Sequence, residues 1–298
     1  MRKLIFLINP VAGTKSKQAL HDLIIQKTGK AGLAFEILPT QSSGNYKQLI
    51  DKIHRENITD VVVCGGDGSI NQAAAALLDL DINIGILPMG SGNGLARAAG
   101  IPTNITKALE IIFKGNASYI DGFYINRHFS CMLCGLGFDA QVAHDFASQS
   151  TRGLATYIEQ TIKNFFTVSS YPFIININGE KIDSAAFFIS IANSNQFGNN
   201  VTIAPKASIA DGLLDIVIVK KAYKLSLLYS VFKQITMGKV MPQINQGKGR
   251  RNILYYQVKN LQIENPSLAP LHIDGEPAET HPYFDIAIKE RAFKLLQP

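Results

Sequence analysis

The stretch VVVCGGDGSINQAA, Val61 to Ala74, decides the fold. It begins with apolar, β-branched residues that indicate a strand buried on both faces, and it ends in an alanine-rich segment that indicates a helix. The glycine loop Gly65–Ser69 lies between them and lets the backbone turn tightly and approach a ligand closely. A helix start offers unpaired N–H groups to a phosphate, and Asp67 can hold Mg²⁺ against phosphates. Alone, the loop fits an ordinary strand-to-helix turn equally well.

Strands and helices alternate around this stretch through the first third of the chain. The patterns predict strands at 3–8, 34–38, 60–64 and 84–87, and helices at 16–28, 46–57, 71–80 and from 95 to 100. Such alternation is typical of an open, mostly parallel sheet with helices on both faces. The fold class predicted for the N-terminal domain is therefore α/β.

Two further loops repeat the strand–glycine arrangement. One is GILPMGSGN, residues 85–93, and the other is NPVAGTK, residues 9–15. Because the carboxyl ends of neighbouring parallel strands share one edge, the three loops should lie together where open α/β sheets bind ligands. The sequence thus favours a nucleotide site. The spacing matches neither GxGxxG nor GxxxxGK[ST], so neither a dinucleotide fold nor a P-loop is indicated.

The pattern changes near Asp121. From there to about residue 288 most segments are short strands separated by turn residues. The predicted strands are 129–134, 173–177, 185–192, 214–219, 256–264, 271–273 and 284–289, and the predicted helices are 151–166 and 224–236. Runs of strands joined by turns predict a mainly antiparallel, sandwich-like or barrel-like C-terminal domain.

Two clusters of carboxylates in this half have alternative interpretations. In HIDGEP, residues 272–277, Asp274-Gly275 is typical of a hairpin turn, but Asp274 and Glu276 could also supply a base and a metal or water ligand. In ADGLLD, residues 210–215, an Asp-Gly turn is the simpler interpretation and a structural Mg²⁺ site is the alternative.

The net charge and the composition indicate which classes of binding partner suit the protein. A net charge of +6 suits a nucleotide, an anionic membrane or a nucleic acid, or equally a solvated basic surface. The chain has no Trp, and it contains neither an RNP-like aromatic motif nor a dense basic helix, so nucleic-acid binding is not indicated. Its three cysteines form no disulfide framework and suit a reducing cytoplasm, and the CxxC of Cys131 and Cys134 favours buried thiols.

The N-terminus MRKLIFLINP resembles a signal peptide, with basic residues followed by an apolar run. This run ends at Asn9-Pro10 and is too short for a signal peptide, so a first buried strand is predicted instead. No apolar stretch approaches the roughly 20 residues that a membrane span needs. A lipid would therefore be met from the aqueous side.

Taken together, the motifs resemble the diacylglycerol kinase catalytic family, which includes bacterial soluble lipid kinases and sphingosine kinases. The matching segments are NPVAG (9–13), GGDGS (65–69), PMGSGNGLA (88–96), DGLLD (211–215) and IDGE (273–276), in the family's order. The resemblance implies an ATP-binding α/β domain at 1–122, a β-rich lipid-substrate domain at 123–289, a tail at 290–298 that returns to the first domain, and an active site in the interdomain cleft.

The resemblance also assigns roles to individual residues. It implies ATP contacts for Asn9, Thr40, Gly65, Gly66, Asp67, Gly68, Ser69, Gly90, Ser91 and Asn93. It implies Glu276 as proton acceptor with Asp274 beside it, and Asp67 as a further catalytic carboxylate. A structural Mg²⁺ is expected on Asp211 with the backbone carbonyls of Ser208 and Leu213.

The expected activity is ATP- and Mg²⁺-dependent transfer of a phosphoryl group to a hydroxyl of a membrane lipid. The protein is expected in the cytoplasm, with peripheral contact to anionic membranes through the basic stretch 237–252, including Lys248, Arg250 and Arg251, although a solvated loop suits that stretch equally. An NAD-kinase-like small-molecule kinase and an inactive lipid-binding protein are the alternatives. The oligomeric state is open, a homodimer included.

Two positions depart from the usual pattern of the family. Gln72 stands where many members have a glutamate, and Gly94 stands where diacylglycerol-type members usually have an aspartate. The wording GSGNGLA is closer to that of sphingosine kinases, so the sequence leaves the lipid unassigned.

Overall fold

The computed structural model describes residues 2–10, 17–41, 44–149, 154–167, 169–196, 202–220 and 253–298. The predicted helix at 224–236 and the basic stretch 237–252 lie outside the described residues, as do residues 11–15 of the first loop. Two compact units are formed, one by Met1–Ile120 with Arg291–Pro298 and the other by Asp121–Glu290. Each is described by itself.

The first unit is a parallel sheet with helices, as predicted. Its elements are β1 (Lys3–Ile8), α1 (Lys17–Lys30), β2 (Ala34–Pro39), α2 (Lys47–Glu56), β3 (Asp60–Gly65), α3 (Asp67–Leu77), β4 (Asn83–Pro88), α4 (Gly94–Ala98), α5 (Ile105–Lys114) and the first part of β5 (Ala117–Ile125). The strand order is β2-β1-β3-β4, every pair being parallel. The central strand β3 is buried at all six positions, which explains its unbroken apolar run.

The register aligns the carboxyl ends of these four strands. Ile8 pairs with both Pro39 of β2 and Cys64 of β3, and Gly65 pairs with Pro88 of β4. The loops that follow the strands therefore start from one edge of the sheet. The end of β15 (Tyr283–Leu296) also belongs to this sheet, because Lys294 and Leu295 pair in parallel with Asn83 and Ile84.

An ion pair fixes the opposite, amino edge of the sheet. The Arg2 guanidinium donates to both carboxylate oxygens of Asp60, each at 3.0 Å, and also to the carbonyls of Ile112 and Phe113 near the end of α5. Asn83 donates to the same carboxylate at 3.0 Å. Asp60 is fully buried. This network connects β3, β4, α5 and the residue before β1.

The second unit is mainly antiparallel, as predicted. Its elements are β6 (His128–Ser130), β7 (Leu133–Gly137), α6 (Phe138–Ala147), α7 (Leu154–Thr167), β8 (Tyr171–Ile177), β9 (Glu180–Ala192), β10 (Leu214–Lys220), β11 (Ile253–Val258), β12 (Asn260–Glu264), β13 (Leu271–Ile273), β14 (Glu276–Ala278) and the first part of β15. Strands β14-β13-β7-β9-β8-β12-β15 pair in that order, while β10 joins β9 to β11. A core of apolar side chains includes Phe123, Phe173, Phe284, Ile189 and Ile216.

Three element predictions need correction. The predicted strand 129–134 is two strands, β6 and β7, because the N–H groups of Met132 and Leu133 donate to the Asp274 carboxylate rather than to a neighbouring strand. The predicted strand 256–264 is interrupted at Lys259 between β11 and β12. The predicted strand 284–289 continues as β15 to Leu296, so the tail is part of a strand.

The three cysteines of the chain are not in disulfides, and all three are buried. Burial raises the pKa of the Cys64 and Cys134 thiols well above the ordinary value. The CxxC pair therefore consists of two core thiols, and burial disfavours the thiolate of Cys134. Among the described residues, none of the helices has the length and apolarity to cross a membrane.

We predict that Asp60→Asn lowers the free energy of unfolding by about 3 kcal/mol, because Arg2 loses its buried counter-charge. The matched control is Asp81→Asn, since the Asp81 side chain is 88% exposed in its pair with Lys294 and should change stability by less than about 1 kcal/mol. Urea unfolding of both variants checks this. Equal losses in the two variants would contradict the role given to the Arg2–Asp60 pair.

Candidate functional site

The loops after β1, β2, β3 and β4 are held together by backbone hydrogen bonds that step from one strand to the next. Thr40 N donates to Ile8 O at 3.0 Å, and Asn9 N donates to Cys64 O at 3.0 Å. Met89 N donates to Gly65 O at 2.9 Å. The predicted nucleotide residues of all four loops therefore start from one edge of the first unit.

The two glycine-rich loops touch backbone to backbone. A Cβ added to Gly90 would lie 2.6 Å from the Gly66 Cα, closer than real Cβ contacts come, and one added to Gly66 would lie 3.2 Å from the Gly90 Cα. A Cβ on Gly65 would lie 2.8 Å from the Ser69 Cβ. Gly90 is therefore required for the approach of the two loops, Gly66 has little room for a side chain beside Gly90, and Gly65 leaves space for Ser69 of its own loop.

Asp67 connects the same two loops. Its carboxylate accepts hydrogen bonds from Gly94 N at 3.0 Å and Leu95 N at 3.2 Å, at the start of α4. Burial raises the pKa of this carboxyl, while the N–H donors of Gly94 and Leu95 lower it. Asp67 thus has a bracing role that the sequence did not predict, and Gly94 contributes to that brace through its backbone N–H.

Other predicted nucleotide residues have identifiable partners. Asn9 Nδ2 donates to Ser69 Oγ at 2.7 Å and so ties the first loop to the second. Asn93 has a positive φ of 50°; its side chain accepts from Gly90 N at 2.8 Å and donates to Gly90 O at 2.7 Å. Asn93 therefore shapes its own loop, whereas Ser91 is exposed.

The hairpin β13–β14 carries the predicted base. Its two-residue turn, Asp274-Gly275, has positive φ at both positions, 50° and 83°, as a type I′ turn requires. Asp274 Oδ1 accepts from Ser130 Oγ at 2.7 Å, Leu133 N at 3.0 Å and Met132 N at 3.2 Å. Glu276 begins β14 and is exposed. Asp274 therefore anchors the turn, and Glu276 is the more accessible carboxylate.

The predicted metal residues lie in the loop before β10. Asp211 Oδ1 accepts from Leu213 N at 3.1 Å, and Ser208 is exposed. Asp121, which no motif indicated, is a buried carboxylate that accepts a hydrogen bond from Gly212 N at 2.8 Å. Burial, and to a smaller extent the negative charge of Asp121, raise the pKa of Asp211. Within the described part of the chain, no group of three or more His, Cys, Asp or Glu side chains forms a ready-made metal site.

Asp215 and Tyr255 form a further pair that the sequence analysis missed. The Tyr255 hydroxyl donates to Asp215 Oδ1 across β10 and β11. Burial of Asp215 raises its pKa from 3.8 to about 6, although the Tyr255 hydrogen bond acts in the opposite direction. Only the pairing of two distant strands brings these residues together, so a local pattern could not predict it.

Asp67 and the nucleotide residues belong to the first unit, whereas Asp274, Glu276 and Asp211 belong to the second. A shared site in an interdomain cleft stays a prediction.

Comparison with known proteins identifies both halves of the chain. The family described as diacylglycerol kinase catalytic domain matches residues 3–125, and the YegS C-terminal NAD kinase beta sandwich-like domain matches residues 133–296. A protein of Shewanella frigidimarina named "Probable lipid kinase YegS-like" is 27% identical over 84% of this chain and 80% of its own length. A diacylglycerol kinase of Staphylococcus carnosus is 24% identical over 93% of this chain and 89% of its own length.

The fold has a counterpart among solved structures. A crystal structure of a diacylglycerol kinase from Bacillus anthracis has a TM-score of 0.76 to this chain at 20% identity, covering 100% of this chain and 97% of that one. This likeness shows the two-domain fold and nothing finer.

An α/β unit with touching glycine loops, followed by an antiparallel sandwich-like unit, is the architecture of a two-domain kinase. Residues 3–125 belong to the diacylglycerol kinase catalytic domain family, and residues 133–296, more than half of the chain, belong to the YegS C-terminal domain family. The predicted family and the predicted kinase class are thereby confirmed.

We predict that Asp215 makes the second unit less stable as the pH rises. The folded state raises the pKa of this carboxyl to about 6, so its favourable contribution is full below pH 3.8 and is lost as the pH passes about 6. Asp215→Asn can still accept the Tyr255 hydrogen bond but cannot ionise. The variant should therefore gain thermal stability over the wild type between pH 4 and 7.

Thermal unfolding over this pH range checks the prediction, with Asp183→Asn as control because Asp183 is exposed on the same sheet. A constant difference in Tm between Asp215→Asn and wild type would refute it.

Proposed function

We propose that the protein transfers the γ-phosphoryl group of ATP to a hydroxyl of a membrane lipid, with Mg²⁺ as cofactor. The observation that carries this proposal is the backbone contact of Gly66 with Gly90, at the edge where four parallel strands end. A ligand with several negative charges suits this edge, since glycine backbone leaves room for phosphates. Membership of the diacylglycerol kinase catalytic family supports a nucleotide as that ligand.

The nucleotide would lie against the start of α3. This helix has 11 residues and begins after Gly66, so its first N–H groups and its dipole favour a phosphate. Asn9, Thr40, Gly65 to Ser69, Gly90, Ser91 and Asn93 are proposed to line the nucleotide site. Several of them act through loop shape, because the Asn9 and Asn93 amides also hold Ser69 and Gly90.

The residues present fit Mg²⁺, which prefers oxygen ligands. Asp67 would serve the nucleotide-linked ion, directly or through water, while continuing to accept hydrogen bonds from α4. Asp211 with the carbonyls of Ser208 and Leu213 would serve a structural ion, and the buried carboxylate of Asp121 adds negative charge beside that loop. When bound, Mg²⁺ supplies neutralisation of the charge that develops on the phosphates.

Glu276 is the proposed general base. The lipid oxygen forms a bond to the γ-phosphorus, the bond from that phosphorus to the β-phosphate oxygen breaks, and ADP leaves. Glu276 takes the hydroxyl proton. Its exposure suits this role, whereas Asp274 Oδ1 already accepts three hydrogen bonds. We therefore assign Asp274 to holding the turn rather than to sharing the proton.

Diacylglycerol, sphingosine or a related lipid is the proposed acceptor. Relatives named lipid kinase and diacylglycerol kinase support a lipid. The second domain's likeness to an NAD kinase sandwich keeps a small-molecule alcohol as the second candidate. The proposed location is the cytoplasm, with peripheral docking on anionic membranes favoured by the net charge of +6.

The decisive experiment supplies the purified protein with radiolabelled Mg-ATP and mixed micelles of diacylglycerol, monoacylglycerol, sphingosine, ceramide or phosphatidylglycerol, and with NAD in a separate arm. We expect one lipid to be phosphorylated. We also expect Glu276→Gln to lower that turnover by about 100- to 10,000-fold, since a general base is lost, while ATP affinity measured by calorimetry stays within severalfold. Transfer to NAD alone would replace the lipid kinase proposal by its alternative.

We predict that Asp67→Ala lowers turnover at least about a hundredfold through loss of metal-linked charge stabilisation. Because the Asp67 carboxylate also holds α4, Asp67→Asn is measured beside it: the amide keeps one hydrogen-bond acceptor but not the charge. A large loss of kcat in both variants supports the charged role. Normal kcat in a folded Asp67→Asn protein would leave Asp67 only its bracing role.

A further inference from the structure

A buried polar pair lies beneath the turn that carries Glu276. His272 is fully buried and Asp139 is 5% exposed, and the His272 Nε2 atom lies 3.4 Å from Asp139 Oδ2. The other ring nitrogen, Nδ1, accepts a hydrogen bond from Gly275 N at 3.3 Å. One imidazole thus connects the first turn of α6 to the hairpin turn at residues 274 and 275.

The hydrogen bond from Gly275 fixes the tautomer of the ring. Because Nδ1 accepts the hydrogen bond from Gly275, the proton of the neutral imidazole is assigned to Nε2, and the Nε2–H group donates a hydrogen bond to Asp139. Asp139 is itself held by its own helix, since its Oδ1 accepts from Ala140 N at 2.9 Å. Helix α6 therefore supports the turn through Asp139, which contacts His272, and through His272, which accepts from the Gly275 N–H. Glu276 is the next residue in the chain.

The backbone beside the pair is shaped to admit it. Gly135 of β7 pairs directly with His272 of β13. A Cβ at Gly135 would lie 2.0 Å from Asp139 Oδ2 and 2.5 Å from His272 Nε2. Any other residue at this position would displace the pair. Helix α6 contacts β13 a second time, since His144 Nε2 is 2.9 Å from Leu271 O.

We propose that Asp139 and His272 are positioning residues that fix the Asp274-Gly275 turn and thereby the direction from which Glu276 meets the lipid hydroxyl; this rests on the proposed role of Glu276 as base. Asp274 holds the turn against Leu133, and His272 holds its Gly275 peptide. Asp274 carries a Cβ and is strained at its positive φ unless its surroundings hold it there, whereas Gly275 adopts positive φ without strain. Only a base kept in place can accept a proton efficiently, since misplacement by about 1 Å can cost a hundredfold in rate.

Two substitutions of His272 separate positioning from simple stability. The His272→Asn side chain can place its Oδ1 where Nδ1 lies and accept from Gly275 N, but it is too short to reach Asp139. The His272→Gln side chain can place its amide where Nε2 lies and donate to Asp139, but it offers Gly275 no acceptor. A positioning role predicts that His272→Asn retains kcat within about threefold, whereas His272→Gln loses at least about tenfold.

If His272 has a purely structural role, the two variants should differ in Tm rather than in kcat, and His272→Asn should be the more impaired. His272→Asn would then have the lower Tm, because the buried Asp139 carboxylate loses its partner, and both variants would have the same kcat per folded molecule. Phe173→Leu, a core change in the same unit, shows how much kcat falls from lost stability alone. The KM for ATP should stay unchanged in all three variants.

Amide hydrogen exchange over residues 271–278 gives a readout that needs no substrate. It should be faster in His272→Gln than in His272→Asn if the Gly275 hydrogen bond holds the turn; equal exchange, or equal kcat, overturns the proposal. Glu276→Gln distinguishes failure of the proposed base from failure of the proposed positioning role. Wild-type turnover in Glu276→Gln removes the base and with it the positioning role, whereas an inactive Glu276→Gln beside equal His272 variants removes only the positioning role.

Discussion

The contact between Gly66 and Gly90 is the constraint on which the proposed nucleotide site depends. Two backbone segments approach so closely that a methyl group on Gly90 would lie 2.6 Å from the Gly66 Cα. This approach brings the start of α4 within reach of the Asp67 carboxylate, which accepts two of its N–H groups. The side-chain amides of Asn9 and Asn93 hold the loops further, since they donate hydrogen bonds to Ser69 Oγ and to Gly90 O. The glycines thus act first by permitting the two loops to pack against each other, and the proposed phosphate site depends on that packing.

At the β13–β14 turn, as in the glycine loops, a carboxylate holds a loop that is distant in sequence. Asp274 Oδ1 accepts hydrogen bonds from two backbone N–H groups where the chain passes from β6 to β7. One carboxylate therefore both separates these two strands and holds the β13–β14 turn. Asp67 and Asp274 are therefore similar in kind, since each is an acidic residue of a glycine-containing motif that satisfies N–H groups of a distant loop. An acidic residue in such a motif can be required for the shape of a site before it takes any part in chemistry.

Much of the fold could be predicted because its signals are local. The apolar run of β3 is continuous because both faces are buried, and the glycine loops mark where the parallel strands end. The sequence also predicted the Asp274-Gly275 turn as a hairpin. What could not be predicted depends on pairing between distant segments. The Tyr255–Asp215 and His272–Asp139 pairs join residues 40 and 133 positions apart, and the split of 129–134 depends on an acceptor more than 140 positions away. Helix α6 could not be predicted because its ten residues start at Phe138, directly after β7, and its N-cap is Gly137, with a φ of 99° and no capping side chain.

The carboxylates of this chain differ in how far their environment limits their chemistry. Asp215 is buried against a tyrosine hydroxyl, and burial of its charge lowers the stability of the fold at neutral pH. Asp67 and Asp274 are engaged by backbone donors, so removing either one alters a loop as well as a charge. Glu276 is exposed at the first residue of a three-residue strand, and its neighbours fix its backbone while leaving its side chain accessible. A proton acceptor needs this combination of a held backbone and an open carboxylate, since it must meet a hydroxyl from outside the protein. The support beneath Glu276, from Gly275 through His272 to Asp139, therefore contributes to the proposed reaction by keeping that open carboxylate in one position.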